Sequence, residues 1–363
     1  MLIGPSRPKH TLHTPLTEDH GPALIPVSAP FEMSLPCVVE SEDGQQEEPL
    51  TEMTMYGVVQ QSDCLVLVNP SAAAVDASVV HEIEGWLSRR ARTVRTAWTQ
   101  APGHATELVR EHADAGLVIA VGGDGTVSEL VQGMTSDQVL CVLPAGSGNS
   151  TARNLFGDQG WRQVLDLLDD PGALTVRRID LLRLTEPGVT AVLGASTGFI
   201  AQVLRDARAV DPAIKGIDRY FTSAAGVLQA MPDHPTRVTV DGIVLAEGPM
   251  ASVAVGGGRF RARSFQFLPE SLLDDGLLDV CAIDALTPAG IAELAPLMAT
   301  GRYLGRPGVR YARGTSVIVE RTDGLPLVAE CDGSVWDAAG SRLTIEIVPN
   351  GLLALAAADG SCR

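Results

Sequence analysis

The segment VIAVGGDGTVSELVQGM, Val118 to Met134, constrains the fold more than any other part of the sequence. An apolar run typical of a buried strand ends at a Gly-rich turn, and helical spacing follows directly. Glycines let backbone N–H groups approach a phosphate closely, and a helix N-terminus adds a favourable dipole. Asp124, between the glycines, could hold Mg²⁺ through water or take a proton from a hydroxyl. The segment therefore predicts a strand–turn–helix unit with a phosphate site, although a Gly-rich turn can also be no more than a turn.

A second Gly-rich turn of the same kind follows in CVLPAGSGNSTARNL, Cys141 to Leu155. Ser147, Asn149 and Ser150 place short polar groups at the predicted helix start, where they can cap the helix or contact phosphate. Ligands bind at the carboxyl ends of parallel strands. Two such turns after neighbouring strands therefore predict one ligand site.

The spacing of apolar residues changes along the chain. Before residue 185, apolar runs such as Cys64–Pro70 alternate with helical spacing such as that of residues 75–92, which predicts a parallel α/β sheet. Beyond about residue 185, short alternating runs break at Asp-Gly or Gly, as is typical of a mainly antiparallel β domain. The 363 residues suggest two domains at roughly 150 residues each.

Composition narrows the possible partners. Hydrophobic residues make up 45% of the chain, which is ample for a globular core. The formal charge of −17 makes the chain a poor candidate for binding nucleic acid, which depends on clustered Lys and Arg. The same charge fits poorly with an enzyme held electrostatically on an anionic membrane. We therefore expect no nucleic-acid partner and at most peripheral membrane contact.

Cysteine spacing and the N-terminal sequence indicate the cellular compartment of the protein. The six cysteines form no CxxC pair, so neither a zinc pattern nor a dense disulfide framework is predicted, and free thiols are expected. No apolar signal-peptide core and no uninterrupted run of ~18 apolar residues is found. The predicted location is cytoplasmic.

Residues 1–57 differ from the rest. They are rich in proline, contain an acidic run from Glu40 to Glu52, and show weak periodicity. Such composition predicts a flexible extension. Alternatively, translation starts near Met53 or Met55.

Four motifs in order carry a resemblance to a known family: Asn69-Pro70, residues 99–105 (TQAPGHA), GGDGT and LPAGSGN. Together they resemble the diacylglycerol kinase catalytic-domain family, which includes bacterial diacylglycerol kinases and sphingosine kinases. The likeness continues through Leu268–Leu277 and Cys331–Ser334 and covers about residues 60–357. NAD kinases share GGDGT, but the later blocks resemble the lipid-kinase branch.

The resemblance implies a fold and an activity. It implies an α/β ATP-binding domain at 58–184, to which the chain can return at 345–363, and a β-sandwich-like substrate domain at 185–344, with the active site in the cleft between them. The implied reaction is Mg²⁺-dependent transfer of the ATP γ-phosphoryl group to a hydroxyl of a lipid-like or other hydrophobic alcohol. Bacterial members often dimerise, so a homodimer is among the implied partners.

The resemblance also assigns roles to residues. Asp124, Asp332 and Ser334 take catalytic positions, and Asp124, Asp275 and the carbonyl of Leu277 take metal positions. Ten residues take nucleotide positions: Asn69, Ser71, Thr99, Gly122, Gly123, Gly125, Thr126, Gly146, Ser147 and Asn149. A hairpin turn explains the Asp-Asp-Gly at 274–276 as well as a metal site does.

Three departures from the family pattern stand out. Members usually read Asp-Gly-Glu where this chain has Ser334, and that Glu is the proposed general base in bacterial enzymes. The second loop has Ser150 in place of an Asp, and the first loop lacks the usual glycine and lysine. A serine hydroxyl is no base near neutral pH, so Asp124 or Asp332 would take that role. Arg153 or Arg178 would replace the lysine.

Two arginine-rich stretches, residues 259–263 and 302–313, are predicted to be solvated, acid-paired surface, with anion binding as the alternative. Three functions remain open. The first is a kinase of a lipid-like alcohol. The second is a kinase of a soluble metabolite, favoured by the acidic chain and Ser334. The third is a nucleotide-binding protein without kinase activity, favoured by the altered first loop.

Overall fold

The computed structural model describes residues 59, 62–170, 172–211, 213–214, 217–229, 233–262, 265–337 and 340–358. The extension predicted at residues 1–57 lies outside these ranges.

The helices connect strands in the first half and flank the sheet in the second. The described helices are α1 (Ala77–Leu87), α2 (His104–Glu111), α3 (Asp124–Val131), α4 (Ser150–Phe156), α5 (Trp161–Leu167), α6 (Phe199–Asp206), α7 (Ile217–Gln229) and α8 (Pro288–Met298), with a 3₁₀ turn at Ala207–Ala209.

The strands number seventeen in the described ranges. They are β1 (Asp63–Val68), β2 (Thr93–Trp98), β3 (Leu117–Gly122), β4 (Val139–Pro144), β5 (Leu174–Leu184), β6 (Val189–Ala191), β7 (Gly194–Gly198), β8 (His234–Val240), β9 (Ile243–Gly256), β10 (Phe260–Arg261), β11 (Phe265–Gln266), β12 (Leu278–Asp284), β13 (Val309–Gly314), β14 (Ser316–Arg321), β15 (Val328–Cys331), β16 (Ser334–Asp337) and β17 (Arg342–Ala357).

The N-terminal half is a parallel α/β layer. Its strands lie in the order β2-β1-β3-β4 and pair in parallel. Every residue of β3 and β4 is buried, which explains why these strands read as continuous apolar runs. Because the strands are parallel, the turns after β1, β3 and β4 meet at one edge of the sheet.

The C-terminal half is an antiparallel β layer. Its strands lie in the order β16-β15-β7-β9-β8-β14-β17, and β12 pairs with both β9 and β13. Its core is a cluster of buried apolar side chains that includes Val238, Val253, Val280, Val317 and Ile345. The predicted order of a parallel α/β layer and a mainly antiparallel β layer is confirmed.

Two long strands run through both layers. β17 pairs with β14 near Glu346 and, in parallel, with β4 near Leu353, while β5 pairs antiparallel with β17 from Leu174 to Leu184. Because these strands belong to both layers, the domain boundaries at 184 and 344 stay a prediction.

α6 packs against β7 and β15, and α7 packs against α6. α8 contributes Leu294 to a smaller apolar cluster, which also includes Leu268 and Ile283. In the described ranges, no helix combines the length and the apolar character needed to cross a membrane.

Candidate active site

A cavity of about 920 Å³ is lined by the turns after β1, β3 and β4, by the β15–β16 hairpin and by α6, α7 and α8. One part of its wall is polar and the other apolar. The polar part contains both Gly-rich turns predicted to bind phosphate.

The two turns touch through their backbones. A Cβ atom on Gly146 would lie 2.5 Å from the Cα of Gly123, and a Cβ on Gly123 would lie 3.1 Å from the Cα of Gly146. The 2.5 Å distance excludes any side chain at Gly146, and a side chain at Gly123 would require the Gly146 backbone to shift. The turns therefore form one continuous backbone surface.

Asp124 joins these turns through its carboxylate. It is the first residue of α3, and its oxygens accept N–H bonds from Ser150 at 3.0 Å and Thr151 at 2.8 Å. Asp124 thus caps α4, and the first N–H donors of α4 are used by the protein. Each oxygen keeps a further lone pair, and the side chain lines the cavity.

Gly125 leaves open space. A Cβ atom there would have no protein atom within 4 Å, and the residue lines the cavity. Packing within the protein therefore does not explain the glycine. The space is suited to a ligand that approaches the start of α3.

Two asparagines hold the turns in place. The Asn69 amide donates to the Thr126 hydroxyl at 3.0 Å and accepts from the Ser71 N–H at 2.9 Å. Asn149, in the left-handed region with φ 55°, accepts from the Gly146 N–H at 2.9 Å and donates to the Gly146 carbonyl at 2.8 Å. The geometry therefore gives both asparagines a positioning role.

Asp332 lies in the turn of the β15–β16 hairpin. Asp332 and Gly333 have φ of 45° and 84°, as in the type I′ turns that favour Asp-Gly. The Asp332 carboxylate accepts three backbone N–H bonds, from Val192 at 2.7 Å, Leu193 at 3.0 Å and Gly194 at 3.1 Å.

The environment of Asp332 shifts its acidity. Burial raises the pKa of its carboxyl to about 6, although the three N–H groups and the nearby guanidinium of Arg261 act to lower that pKa. Ser334, one residue past the turn, is exposed and lines the cavity.

A buried charged cluster beside Asp332 was missed from the sequence. Glu330 is fully buried, forms an ion pair with Arg261, and accepts hydrogen bonds from the Ser196 hydroxyl and, at 3.1 Å, from the Gly333 N–H. Glu330 and Arg261 both line the cavity. The prediction that residues 259–263 are solvated surface is wrong for Arg261, because the pair with Glu330 allows its burial.

The apolar part of the wall was also missed. It comes from α6, α7, α8 and the segment around β11. Its larger side chains are Phe199, Ile200, Val203, Leu204, Tyr220, Phe221, Leu228, Phe265, Phe267, Ile291, Leu294 and Met298. Phe221 is 56% exposed, so the apolar arm reaches the protein surface.

Most of the predicted site residues come together. The cavity is lined by Asn69, Ser71, Gly123, Asp124, Gly125, Thr126, Gly146, Ser147, Asp332 and Ser334. Three others, Thr99, Gly122 and Asn149, do not line it. Gly122 is required by packing, since a Cβ there would lie 2.5 Å from the Thr126 hydroxyl oxygen. Arg153 and Arg178, considered as replacements for a phosphate-loop lysine, do not line it either.

The Asp275 position does not fit the predicted metal. Its carboxylate forms an ion pair with Arg313, whose Nε also lies 3.2 Å from Asp279. A guanidinium thus supplies the positive charge there. No three His, Cys, Asp or Glu side chains gather to hold a metal within the part of the chain that the structure describes. Asp275 and Leu277 are also outside the cavity lining. A metal at this position therefore has no part in the proposed reaction.

Two family models match the sequence. The diacylglycerol kinase catalytic domain matches residues 63–184, and the YegS C-terminal NAD kinase beta sandwich-like domain matches residues 194–356.

Curated relatives match more than half of the chain. A "Probable lipid kinase YegS-like" of Chromohalobacter salexigens is 30% identical over 281 residues, which cover 74% of this chain and 84% of that protein. A protein of the same name from Stenotrophomonas maltophilia is 28% identical, covering 70% and 84%. A "Diacylglycerol kinase" of Staphylococcus carnosus is 24% identical, covering 63% and 74%.

A solved structure has the same fold. The crystal structure of a diacylglycerol kinase from Bacillus anthracis str. Sterne superposes with a TM-score of 0.59 at 20% identity, covering 81% of this chain and 96% of that one.

Proposed function

The chain belongs to the diacylglycerol kinase catalytic-domain family, whose members are phosphotransferases acting on hydroxyl groups, and from this premise we propose that it phosphorylates a lipid-like alcohol. In the proposed reaction, the γ-phosphoryl group of ATP passes to the alcohol oxygen in the presence of Mg²⁺.

The two-part cavity is the observation that carries the proposal. The two Gly-rich turns, with Asp124, lie in its polar part, and a dozen large apolar side chains line the other. Each CH₂ group moved from water into such an arm contributes about 0.8 kcal/mol. A hydrocarbon chain in the arm would hold its polar head towards the Gly-rich turns.

The charges of the lining residues indicate which groups would contact the phosphates of the nucleotide. Among the described lining residues, Arg261 carries the positive charge, while Asp124, Glu129, Glu330 and Asp332 carry carboxylates. Polyphosphate would therefore meet N–H groups and the hydroxyls of Ser71 and Ser147. Bound Mg²⁺ would neutralise phosphate charge, and Asp124 is the residue we propose to hold it.

Asp332 is the residue we propose as proton acceptor. Three N–H bonds occupy one lone pair of Oδ2 and both of Oδ1, so Oδ2 keeps one position for the acceptor hydroxyl. The alcohol oxygen would attack the γ-phosphorus as its proton passes to this carboxylate, the bond from the γ-phosphorus to the bridging oxygen would break, and ADP would leave. Ser334 is exposed beside this position and would contact the alcohol.

The soluble-metabolite kinase is the second candidate. The net charge of −17 favours it, but the apolar arm argues for a lipid-like acceptor. Cytoplasmic location and a homodimer stay predictions. The buried free thiols of Cys64, Cys141, Cys281 and Cys331 agree with a reducing compartment.

The test offers the full chain γ-labelled ATP and Mg²⁺ with a lipid extract or with a soluble-metabolite extract, and identifies labelled products by mass spectrometry. We expect label in an organic-phase lipid and none with Asp124→Asn. Label confined to soluble metabolites would favour the second candidate. ATP binding without a labelled product from either extract would favour a nucleotide-binding protein without kinase activity.

A further inference from the structure

The turn at Asp274, Asp275 and Gly276 lies between two guanidinium groups. Arg177, on β5, forms an ion pair with Asp274, and Arg313, on β13, forms one with Asp275. None of these four side chains is more than 35% exposed, so solvent screens the two pairs less than it would at an open surface. Both carboxylates of the turn therefore already face a positive charge supplied by the chain.

Arg313 bridges two carboxylates. Its Nη2 donates to Asp275, and its Nε lies 3.2 Å from Oδ1 of Asp279. Asp279 is fully buried and stands directly opposite Arg313 in the β12–β13 pair. A planar guanidinium can present donors to two acceptors at once, and a divalent cation bound between two carboxylates makes the same kind of bridge. Arg313 therefore supplies both the positive charge and the bridging contacts.

The other oxygens around Arg313 are used by the protein or closed to a hydrated ion. Oδ1 of Asp275 accepts the Leu277 N–H at 3.2 Å, and Oδ1 of Asp279 accepts the Tyr311 hydroxyl at 2.6 Å. Oδ2 of Asp279 is shielded from solvent. Mg²⁺ gives up its waters reluctantly and demands near-octahedral geometry. To bind here it would have to displace the guanidinium from Asp275, and the guanidinium would repel it.

The turn is also attached to the two long strands that run through both layers. The Gly276 N–H donates to Asp180 of β5 at 2.7 Å, and the same carboxylate accepts the Asn350 N–H of β17 at 2.8 Å. Arg313 thus connects β13 and β12 to a turn that is held by β5 and β17. Loss of the positive charge at this point should therefore lower the stability of the fold.

We propose that the Arg313 guanidinium takes the place of the divalent cation that the family resemblance implies at Asp275 and Leu277. The fold of this chain is then independent of a metal at the turn. The Mg²⁺ requirement of the proposed reaction would come from the nucleotide alone.

The test measures thermal melting of the full chain without nucleotide, in EDTA and in millimolar Mg²⁺ or Ca²⁺. The wild type should melt at the same temperature in all three. Arg313→Ser should melt lower in EDTA, because Asp275 and Asp279 then face each other without a cation. Since serine leaves room for an ion and its waters, either ion should raise the melting temperature of this variant by about 2 °C or more.

Two further variants assign that response to the turn. Arg310 lies on the same strand and forms an ion pair with one carboxylate, that of Asp284, within the described ranges. Arg310→Ser should therefore lose stability without responding to either ion. Arg313→Ser/Asp275→Asn removes one of the two carboxylates, so the response of the single Arg313 variant should disappear.

The wild type and Asp275→Asn guard against ions bound elsewhere, such as at Asp124. A stabilisation of the wild type by Mg²⁺ or Ca²⁺ that is lost in Asp275→Asn would overturn the proposal, because the turn would then bind a cation with Arg313 in place. An Arg313→Ser chain that shows no response, or stays unfolded with either ion present, would overturn it as well. None of these measurements involves phosphoryl transfer, so failure of the proposed function would leave this inference standing.

Discussion

Gly125 occupies a helical position in α3, yet a side chain there would meet no protein atom within 4 Å. Glycine within a helix is less stable than alanine by about 0.5–1 kcal/mol. Gly125→Ala should therefore raise the free energy of unfolding by about that amount. The added methyl group would occupy the space proposed for phosphate, so we expect the KM for ATP to rise at least about tenfold.

Gly226 offers a matched control for Gly125. It is a helical glycine in α7 with no atom within 4 Å of a Cβ, but it does not line the cavity. Gly226→Ala should give a similar gain in stability with unchanged kinetics. Urea unfolding and nucleotide kinetics of both variants measure the difference. Unchanged ATP kinetics in Gly125→Ala would contradict a phosphate site at this position.

Asp124 combines a structural and a proposed catalytic role, which two substitutions separate. Asp124→Ala removes both acceptors of the α4 cap and should cost about 0.5–2 kcal/mol of stability. Asp124→Asn keeps one acceptor oxygen and should cost less. Both should lose nearly all phosphoryl transfer, because both remove the charge. Near-normal turnover of Asp124→Asn, measured with the identified acceptor, would rule out the proposed role.

Asp332 should give activity and stability opposite dependences on pH. The pKa of its carboxyl is raised by burial from 3.8 to about 6, so the folded state binds the proton more tightly than the unfolded state. This group therefore makes its whole contribution to stability below about pH 4, and that contribution is lost as the pH rises to about 6. Proton acceptance needs the ionised form, so kcat/KM should rise as the pH passes through about 6.

The measurement for Asp332 pairs urea unfolding with initial rates between pH 4 and pH 8. Asp332→Asn should flatten the unfolding profile between pH 4 and pH 6 relative to the wild type, in which other carboxyl groups also titrate. A wild-type kcat/KM that does not change across pH 6 would exclude Asp332 as the proton acceptor.

Local elements of the site could be predicted from the sequence. Each Gly-rich turn follows an apolar strand and precedes a helix within about 15 residues, and the Asp332-Gly333 turn joins two adjacent strands. Their conformation follows from nearby residues, so spacing and turn chemistry suffice. The same holds for the change from parallel to antiparallel pairing.

The apolar arm and the charged cluster could not be predicted in this way. Three helices between Phe199 and Met298 supply the arm, and each has the apolar spacing of an ordinary core helix. Arg261 and Glu330 are 69 residues apart in the sequence. Only tertiary packing brings them together, although a glutamate two residues before the Asp332-Gly333 turn was a signal in the sequence.

The apolar arm gives a prediction at the level of a helix. Ala224, a small residue of α7, lines the cavity. Ala224→Phe would fill part of the arm, so the preferred hydrocarbon chain should become shorter by several carbons while the KM for ATP stays unchanged. The control is Ala289→Phe on α8, which is exposed and does not line the cavity. A series of acceptors of increasing chain length measures the shift. The same chain-length optimum in Ala224→Phe and wild type would show that the arm does not hold the acyl chain.

At the level of the whole molecule, β5 and β17 connect the two layers that line the cavity. β17 pairs with β14 of the antiparallel layer and with β4 of the parallel layer. β5 pairs with β17 in both layers. The two Gly-rich turns and the Asp332 turn are thus carried by one connected sheet. Such a scaffold connects the phosphate end and the acceptor end of the cavity through two continuous strands.

The net charge of the whole chain predicts how the enzyme meets a lipid surface. With a formal charge of −17, the protein should be repelled by vesicles of anionic lipid. We therefore expect faster phosphorylation of the same acceptor in phosphatidylcholine vesicles than in vesicles rich in phosphatidylglycerol. Raising the salt from ~0.01 M to ~0.15 M shortens the Debye length from about 30 Å to about 8 Å, so the difference should narrow. Co-sedimentation with both vesicle types measures binding alongside the rate. Faster turnover on the anionic vesicles, weakened by salt, would instead require a basic surface that outweighs the charge of the whole molecule.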